Sequence, residues 1–343
     1  MADLQKYFNE FHEIIRLSFD DNAELREKRD IILNKFFNNR ADDVPKPESF
    51  NQGSYAMSTG VKPIDDDYDI DVGLEFNISK DDYKSLEVKN WVYDVLKDHT
   101  KSVEIKNPCV TVTYHKEDEP IYHVDLALYS NDNADGKMYL AKGKEYSNSK
   151  NKRWEPADPK GLIKAIQNKF SDKDDRAQFR RIIRYLKRWK DIKFSSDGNA
   201  APLGIGITVA AYKWFNVSKE IEDIFSNKYK FNDLNALINF IEDLISRFNY
   251  MYYDEEYVER LQVELPFEPY DELFKNMTNK QMTKFKNKLE ELISKLREAS
   301  DEVDPVVACE NLVKVFGDDY PIPEKEETAE KKNCAFTPSN SSA

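Results

Sequence analysis

Between Tyr68 and Phe76 the chain reads YDIDVGLEF, and this run limits the fold more than any other segment. Side chains alternate across an extended backbone, so Asp69 and Asp71 share one face while Ile70 and Val72 take the other. The run is therefore expected to be a strand with one face buried under other elements and an acidic face bordering a site that tolerates two adjacent carboxylates. Like charges held that way repel unless a cation lies between them. Mg²⁺, which combines one or two carboxylates with phosphate oxygens, is the usual answer. A third acid, Asp125, stands alone between Val124 and Leu126 in the apolar run 121–129, where a buried charge requires a partner.

Sixteen residues before Asp69 stands Gly53, followed by Ser54. Glycine lets a backbone approach a phosphate closely, and the serine hydroxyl with nearby amides can ligate it. Taken singly, each piece has a plain explanation: a DxD in an acidic protein is commonly a solvated strand edge, and Gly-Ser is commonly a turn. The ordered set of Gly-Ser, a short gap, an alternating acid pair and a third acid on a later strand is what points to phosphoryl-transfer chemistry. Asp65, Asp66 and Asp67 precede the strand in a loop after Pro63 and are set aside as decoys. His123 shares a face with Asp125 by alternation, and a lone strand histidine is commonly a packing or hydrogen-bonding residue.

Around this segment the pattern is mixed up to about residue 145 and helical beyond it. Apolar residues recur at three and four through residues 4–37, predicting one long helix or two shorter ones broken near residues 20–22. A helix is expected over 80–97 with Ser79 as its cap, and β-rich runs at 102–114 and 121–129 predict a hairpin. Helices are expected at 159–170, 176–191, 202–216, 230–251 and 279–299. The fold class is α+β, with residues 1–150 as one unit, 151–322 as a helical unit and 323–343 as a flexible tail.

The chain carries 51 Lys and Arg against 64 Asp and Glu, a net charge of −13, which argues against a protein whose main task is gripping long nucleic acid. Yet residues 150–193 hold fifteen Lys and Arg against six Asp and Glu, and Arg180, Arg184, Lys187 and Arg188 fall in one helical stripe. Cys109, Cys309 and Cys334 lie far apart without zinc or redox spacing, and no run of eighteen apolar residues occurs, so a reducing cytoplasm and no membrane are expected.

The motifs QGSYAMST, DYDIDVGL, HVDLALY, YLKRW and the late DPVVACENLVKVFGDDYPIP resemble the polymerase-β nucleotidyltransferases. More narrowly, the chain is similar to the bacterial cGAS/DncV-like synthases of cyclic oligonucleotides in CBASS antiphage defence. The resemblance implies a polymerase-β-like core with a mixed sheet, an N-terminal helix and a C-terminal helical unit closing a nucleotide cleft. It implies that Asp69, Asp71 and Asp125 hold two Mg²⁺ ions, with Mn²⁺ as a substitute, and that Asp125 takes the proton of the attacking hydroxyl. It assigns Gln52, Gly53, Ser54 and Lys187 to nucleotide binding, and Asp304 to the base, although a helix-capping aspartate explains Asp304 almost as well. Where relatives offer a serine to the triphosphate, this chain has Ala201, Pro202, Leu203 and Gly204. Tyr55 could stack on a purine or belong to the core.

The expected substrates are purine nucleoside triphosphates, joined into a cyclic di- or trinucleotide. The alternatives are a transferase acting on RNA or a small molecule, and a scaffold that has lost chemistry. No Cys and His cluster of a zinc-dependent DNA sensor is present, so no nucleic-acid activator is expected. The family also implies an accessory enzyme conjugating the C-terminus, against which plain disorder of the tail must be weighed.

Overall fold

The computed structural model describes residues 2–17, 23–65, 67–195, 201–225 and 228–324. The expected break at 20–22, Asp66 and nearly all of the 323–343 tail lie outside them. The N-terminal periodicity resolves into two helices, α1 (Gln5–Ile15) and α2 (Ala23–Asn39). A short strand β1 (Glu48–Asn51) leads into a one-turn helix α3 (Gly53–Ala56), and the acidic run forms β2 (Tyr68–Phe76).

Next come α4 (Ser85–Leu96), β3 (Ser102–Ile105), β4 (Val110–Lys116), β5 (Glu119–Ser130), β6 (Tyr139–Ala141) and β7 (Trp154–Pro156). The helix expected over 80–97 starts later than predicted. Ser79 closes a local turn, accepting from the Asp81 and Asp82 amides, and Glu87 caps the Lys84 amide at the true start. The run 102–114 is two strands, because residues 106–109 turn β3 back onto β4.

Among the described residues these strands make one sheet in the order β1-β2-β5-β4-β3, with β6 and β7 continuing from the end of β5. Only β2 and β5 pair in parallel; every other neighbouring pair is antiparallel. The apolar face, with Ile70, Val72, Val124 and Leu126, packs into one core with Leu25, Ile32 and Phe36 of α2 and Val88 and Val92 of α4. The opposite face carries the acids.

The second half contains α5 (Pro159–Gln167), α6 (Lys173–Lys193), α7 (Gly204–Trp214), β8 (Lys219–Asp223), β9 (Lys228–Phe231) and α8 (Asp233–Ser246). It ends with β10 (Asn249–Tyr253), β11 (Glu256–Arg260), α9 (Asn279–Asp301) and α10 (Pro305–Phe316). The helix expected over 230–251 is flanked by strands instead. Asn232 caps α8 by accepting from the Asn235 amide at 2.9 Å, and the aromatic run NYMYY pairs with β11 as a ribbon. A second core forms here, and α1 joins it: Phe8, Phe11 and Ile15 pack with Tyr185, Phe316 and Tyr320 rather than with the sheet. Among the described residues no helix is long and apolar enough to cross a membrane.

Candidate active site

The parallel pairing of β2 and β5 decides the geometry. Its register sets Asp71 beside Asp125 and Asp69 beside His123. On the other side of β5, Thr111 of β4 faces Asp125 and Thr113 faces His123. Two polar rows therefore cross the sheet, Asp71–Asp125–Thr111 and Asp69–His123–Thr113. The Thr111 hydroxyl donates to Asp125 Oδ1 at 2.5 Å, which fixes that carboxylate's orientation.

Burial sets the electrostatics. It pushes the Asp71 carboxyl up to about 7, with the charges of Asp125 and Asp69 adding to the effect and Lys187 opposing it. Asp69 is raised by burial first and then by Asp125. With Asp125 beside them, Asp71 and Asp69 are hard-oxygen donors whose charge is disfavoured as they stand, a set suited to a divalent cation, whose charge reverses the penalty. Among the described residues no three His, Cys, Asp or Glu side chains are already gathered into a closed ligand group. The fit to a divalent cation rests on the chemistry of the donors, carboxylate oxygens on neighbouring strands.

Gly53 sits at φ +66, and a Cβ built on it would lie 1.8 Å from Asp71 Oδ2. Any side chain at this position would displace the carboxylate, and the left-handed backbone itself favours glycine. The Gln52 amide donates to the Asp71 carbonyl at 3.1 Å, continuing the β1–β2 ladder into the turn. Gln52's own side chain accepts from the Tyr129 hydroxyl at 2.9 Å, so its oxygen is engaged with the protein. Ser54 lines a cavity of about 580 Å³ together with Asp67, Tyr68, Asp69, Lys190, Asp191 and Phe194. This cavity lies between the acidic face of the sheet and the end of α6. Roomier grooves occur elsewhere, such as one of about 770 Å³ beside β9, but it carries none of these acids.

The basic stripe of α6 is largely buried and braces the glycine turn. Lys187 Nζ donates to the Thr59 carbonyl at 3.1 Å and hydroxyl at 3.2 Å. Burial, with Arg184 and Lys190 nearby, pulls its pKa down to about 7. Arg184 holds the Gly60 and Ser58 carbonyls at 2.9 and 2.7 Å. Arg181 pairs with the buried Asp233 at 2.6 Å. The start of α7 comes close to Lys187, whose Cε lies 3.6 Å from where a Gly204 Cβ would be.

Gly53, Asp71, Asp125 and Lys187 are thus near neighbours, and Asp69 and Ser54 line the cavity beside them, with Gln52 behind. Asp304 is elsewhere: it is the cap of α10, accepting from the Val306 amide at 2.8 Å, beside Glu302, which accepts from the Ala2 amide through its carbonyl. Tyr55, 8% exposed, packs into the core under the sheet and also borders the cavity. Sequence reading set Asp67 aside, yet it lines the cavity and bonds His123. Its signal was available, since residues 67, 69 and 71 continue one alternation.

A glycine turn feeding a strand with two alternating acids, a third acid on the adjacent parallel strand and a helical layer over the cleft together make a polymerase-β-like nucleotidyltransferase fold. Residues 47–129 match the family described as cyclic GMP-AMP synthase DncV-like, nucleotidyltransferase domain. A cyclic GMP-AMP synthase of Escherichia albertii is 32% identical over 176 residues, 47% of this chain and 36% of the relative, so the match spans about a third of that protein's length. The fold is shared over nearly full length with Vibrio cholerae DncV (TM-score 0.66, 15% identity, 94% of this chain and 98% of that one). It is shared equally with CdnC of E. coli MS115-1, solved with ATP (TM-score 0.65, 15% identity, 93% and 99%). Residues 47–129 thus match a DncV-like nucleotidyltransferase domain, and the chain as a whole shares its fold with DncV and CdnC.

Proposed function

We propose that this chain is an enzyme that joins nucleoside triphosphates, ATP and GTP foremost, into a cyclic di- or trinucleotide messenger, acting in the cytoplasm in antiphage signalling. The observation that carries the reading is the register pair Asp71–Asp125 with Asp69 two residues upstream, all on one face of the sheet, Asp69 lining the cavity. Two Mg²⁺ ions bound by these carboxylates would neutralise charge on the attacking and leaving oxygens during phosphoryl transfer.

The protein's own groups have distinct parts. The Gly53 turn lets the backbone approach the phosphates, and Ser54 offers its hydroxyl there. Lys187, held on Thr59 near neutrality, gains a full charge when a triphosphate replaces that carbonyl, since an adjacent anion favours the ammonium. Asp125, oriented by Thr111, is the base nearest an incoming hydroxyl. DncV is described as a cyclic AMP-GMP synthase and CdnC is solved with ATP, which supports the same substrate class.

The test is a reaction of purified protein with Mg²⁺ and labelled triphosphates alone. A phosphatase-resistant product is expected, and it should fall by at least about 100-fold in Asp69→Ala with Asp71→Ala. A product that forms only with added RNA or a small-molecule acceptor would favour the alternative transferase, and full turnover by the double variant would reject the site.

A further inference from the structure

Asp67 occupies the cavity wall beside Asp69, and its two oxygens have different surroundings. Oδ2 accepts from His123 Nε2 at 3.0 Å. A carboxylate only accepts, so Nε2 carries a proton, and His123 Nδ1 is hydrogen-bonded to the Thr113 hydroxyl at 3.0 Å. The aspartate is thereby locked by a relay anchored in the sheet. Oδ1 is buried and has no hydrogen-bond partner among the described residues. A buried acceptor without a donor is costly, and such groups call for an explanation.

We infer that Asp67 Oδ1 receives a ribose hydroxyl of a bound nucleotide, with His123 and Thr113 holding the carboxylate in place. The inference rests on the proposed nucleotide site and adds to it a sugar contact. The order along the strand supports it. Gly53 meets Asp71, so the phosphate end of a substrate lies at that end of the row, while Asp67 lies four residues further back, about 13 Å of extended chain. A nucleotide laid along the row with its phosphates at Asp71 and Asp69 brings its sugar, rather than more phosphate, towards Asp67. A second anion there would be repelled, whereas an O–H supplies the missing donor.

The experiment pairs protein and substrate variants. Binding and steady-state turnover are measured for wild type, Asp67→Ala, Asp67→Asn and His123→Gln with ribo-, 2′-deoxy- and 3′-deoxynucleoside triphosphates, with Mg²⁺ present and thermal melting checking each fold. Wild type should discriminate against one of the two deoxy analogues, and which one identifies the hydroxyl. Asp67→Ala should raise KM for the ribonucleotide about tenfold or more, yet bind that deoxy analogue as wild type does. His123→Gln should show the same pattern more weakly. A variant that still separates ribo from both deoxy forms as strongly as wild type, or one whose loss follows the base instead of the sugar, overturns the inference while leaving the transferase reading standing. Failure of wild type to bind any triphosphate removes both.

Discussion

Asp71 is the residue on which the site's chemistry and the chain's stability meet. Its carboxyl titrates near 3.9 in an unfolded chain and at about 7 here, because burial and two neighbouring carboxylates disfavour its charge. Folding therefore takes up a proton between those values. The stabilisation from this group is complete below about pH 4 and is lost as pH rises through about 7. In chelator, wild type should lose stability relative to Asp71→Asn across that window, by on the order of a few kcal/mol, and Mg²⁺ should close the gap. Denaturant midpoints of both proteins at several pH values, with and without Mg²⁺, measure this. Parallel curves in chelator would contradict the burial argument. The pairing of Asp69 with Asp71 was legible from alternation alone. Asp67 was legible by the same rule, but the preceding proline and acidic run made it read as loop, and its bond to His123 depends on a strand 56 residues away.

At the level of elements, α4 shows how a sequence pattern can hide its most important contact. Its apolar face, Val88, Val92 and Leu96, covers the sheet as the helical period predicts. Lys89 lies on the same helix and looks like a solvated position, yet it is fully buried. Its ammonium donates to the carbonyls of Lys106, Asn107 and Gly143 at 2.8, 2.6 and 2.8 Å, and burial lowers its pKa to about 8. It thereby ties α4 to the β3–β4 turn, and that turn feeds the strand carrying Thr111. Lys89→Met removes the donor from the carbonyls of Lys106 and Gly143, leaves that of Asn107 with the Gly143 amide alone, and should cost about 3 kcal/mol, read as a shifted urea midpoint. It should also reduce kcat, because Asp125 depends on Thr111 for its orientation. The hairpins β8–β9 and β10–β11 were missed for a related reason: short strands that pair only with each other carry little periodicity, and the neighbouring helix pattern absorbed them.

Over the whole molecule, two separate cores meet across the glycine turn, and α6 makes the junction. Arg184 is its centre. Its guanidinium binds Ser58 and Gly60 on the sheet side and His12 Nε2, at 2.9 Å, on α1. His12 is held at about 4 by burial and by Arg184, so it stays neutral and can accept that bond near neutral pH. Arg184→Met keeps the bulk but leaves the Ser58 carbonyl without its donor and the Gly60 carbonyl with the Leu17 amide alone. It should cost about 2–3 kcal/mol and raise KM for triphosphates more than it changes kcat, because the loop that seats Lys187 is released while the carboxylates stay in place. Initial-rate kinetics with an unfolding curve test this, and an unchanged KM would count against the junction's role. The basic stripe of α6 was visible as spacing, and a solvated face was the simplest account. Burial of most of it under a loop more than 120 residues earlier is a fact of packing.

The sequence alone determined the local periods: which residues alternate along β2 and which face of each long helix is apolar. Those properties depend on neighbours within a few positions, where backbone geometry is nearly fixed. The tertiary structure decided the rest. Whether Asp125 stands beside Asp71, whether Lys187 reaches Thr59, and whether α1 packs on the sheet or on the helices all depend on strand register and on which surfaces exclude water together. Such contacts join distant segments, and the closure between them is set by the summed packing of two cores and by no single motif.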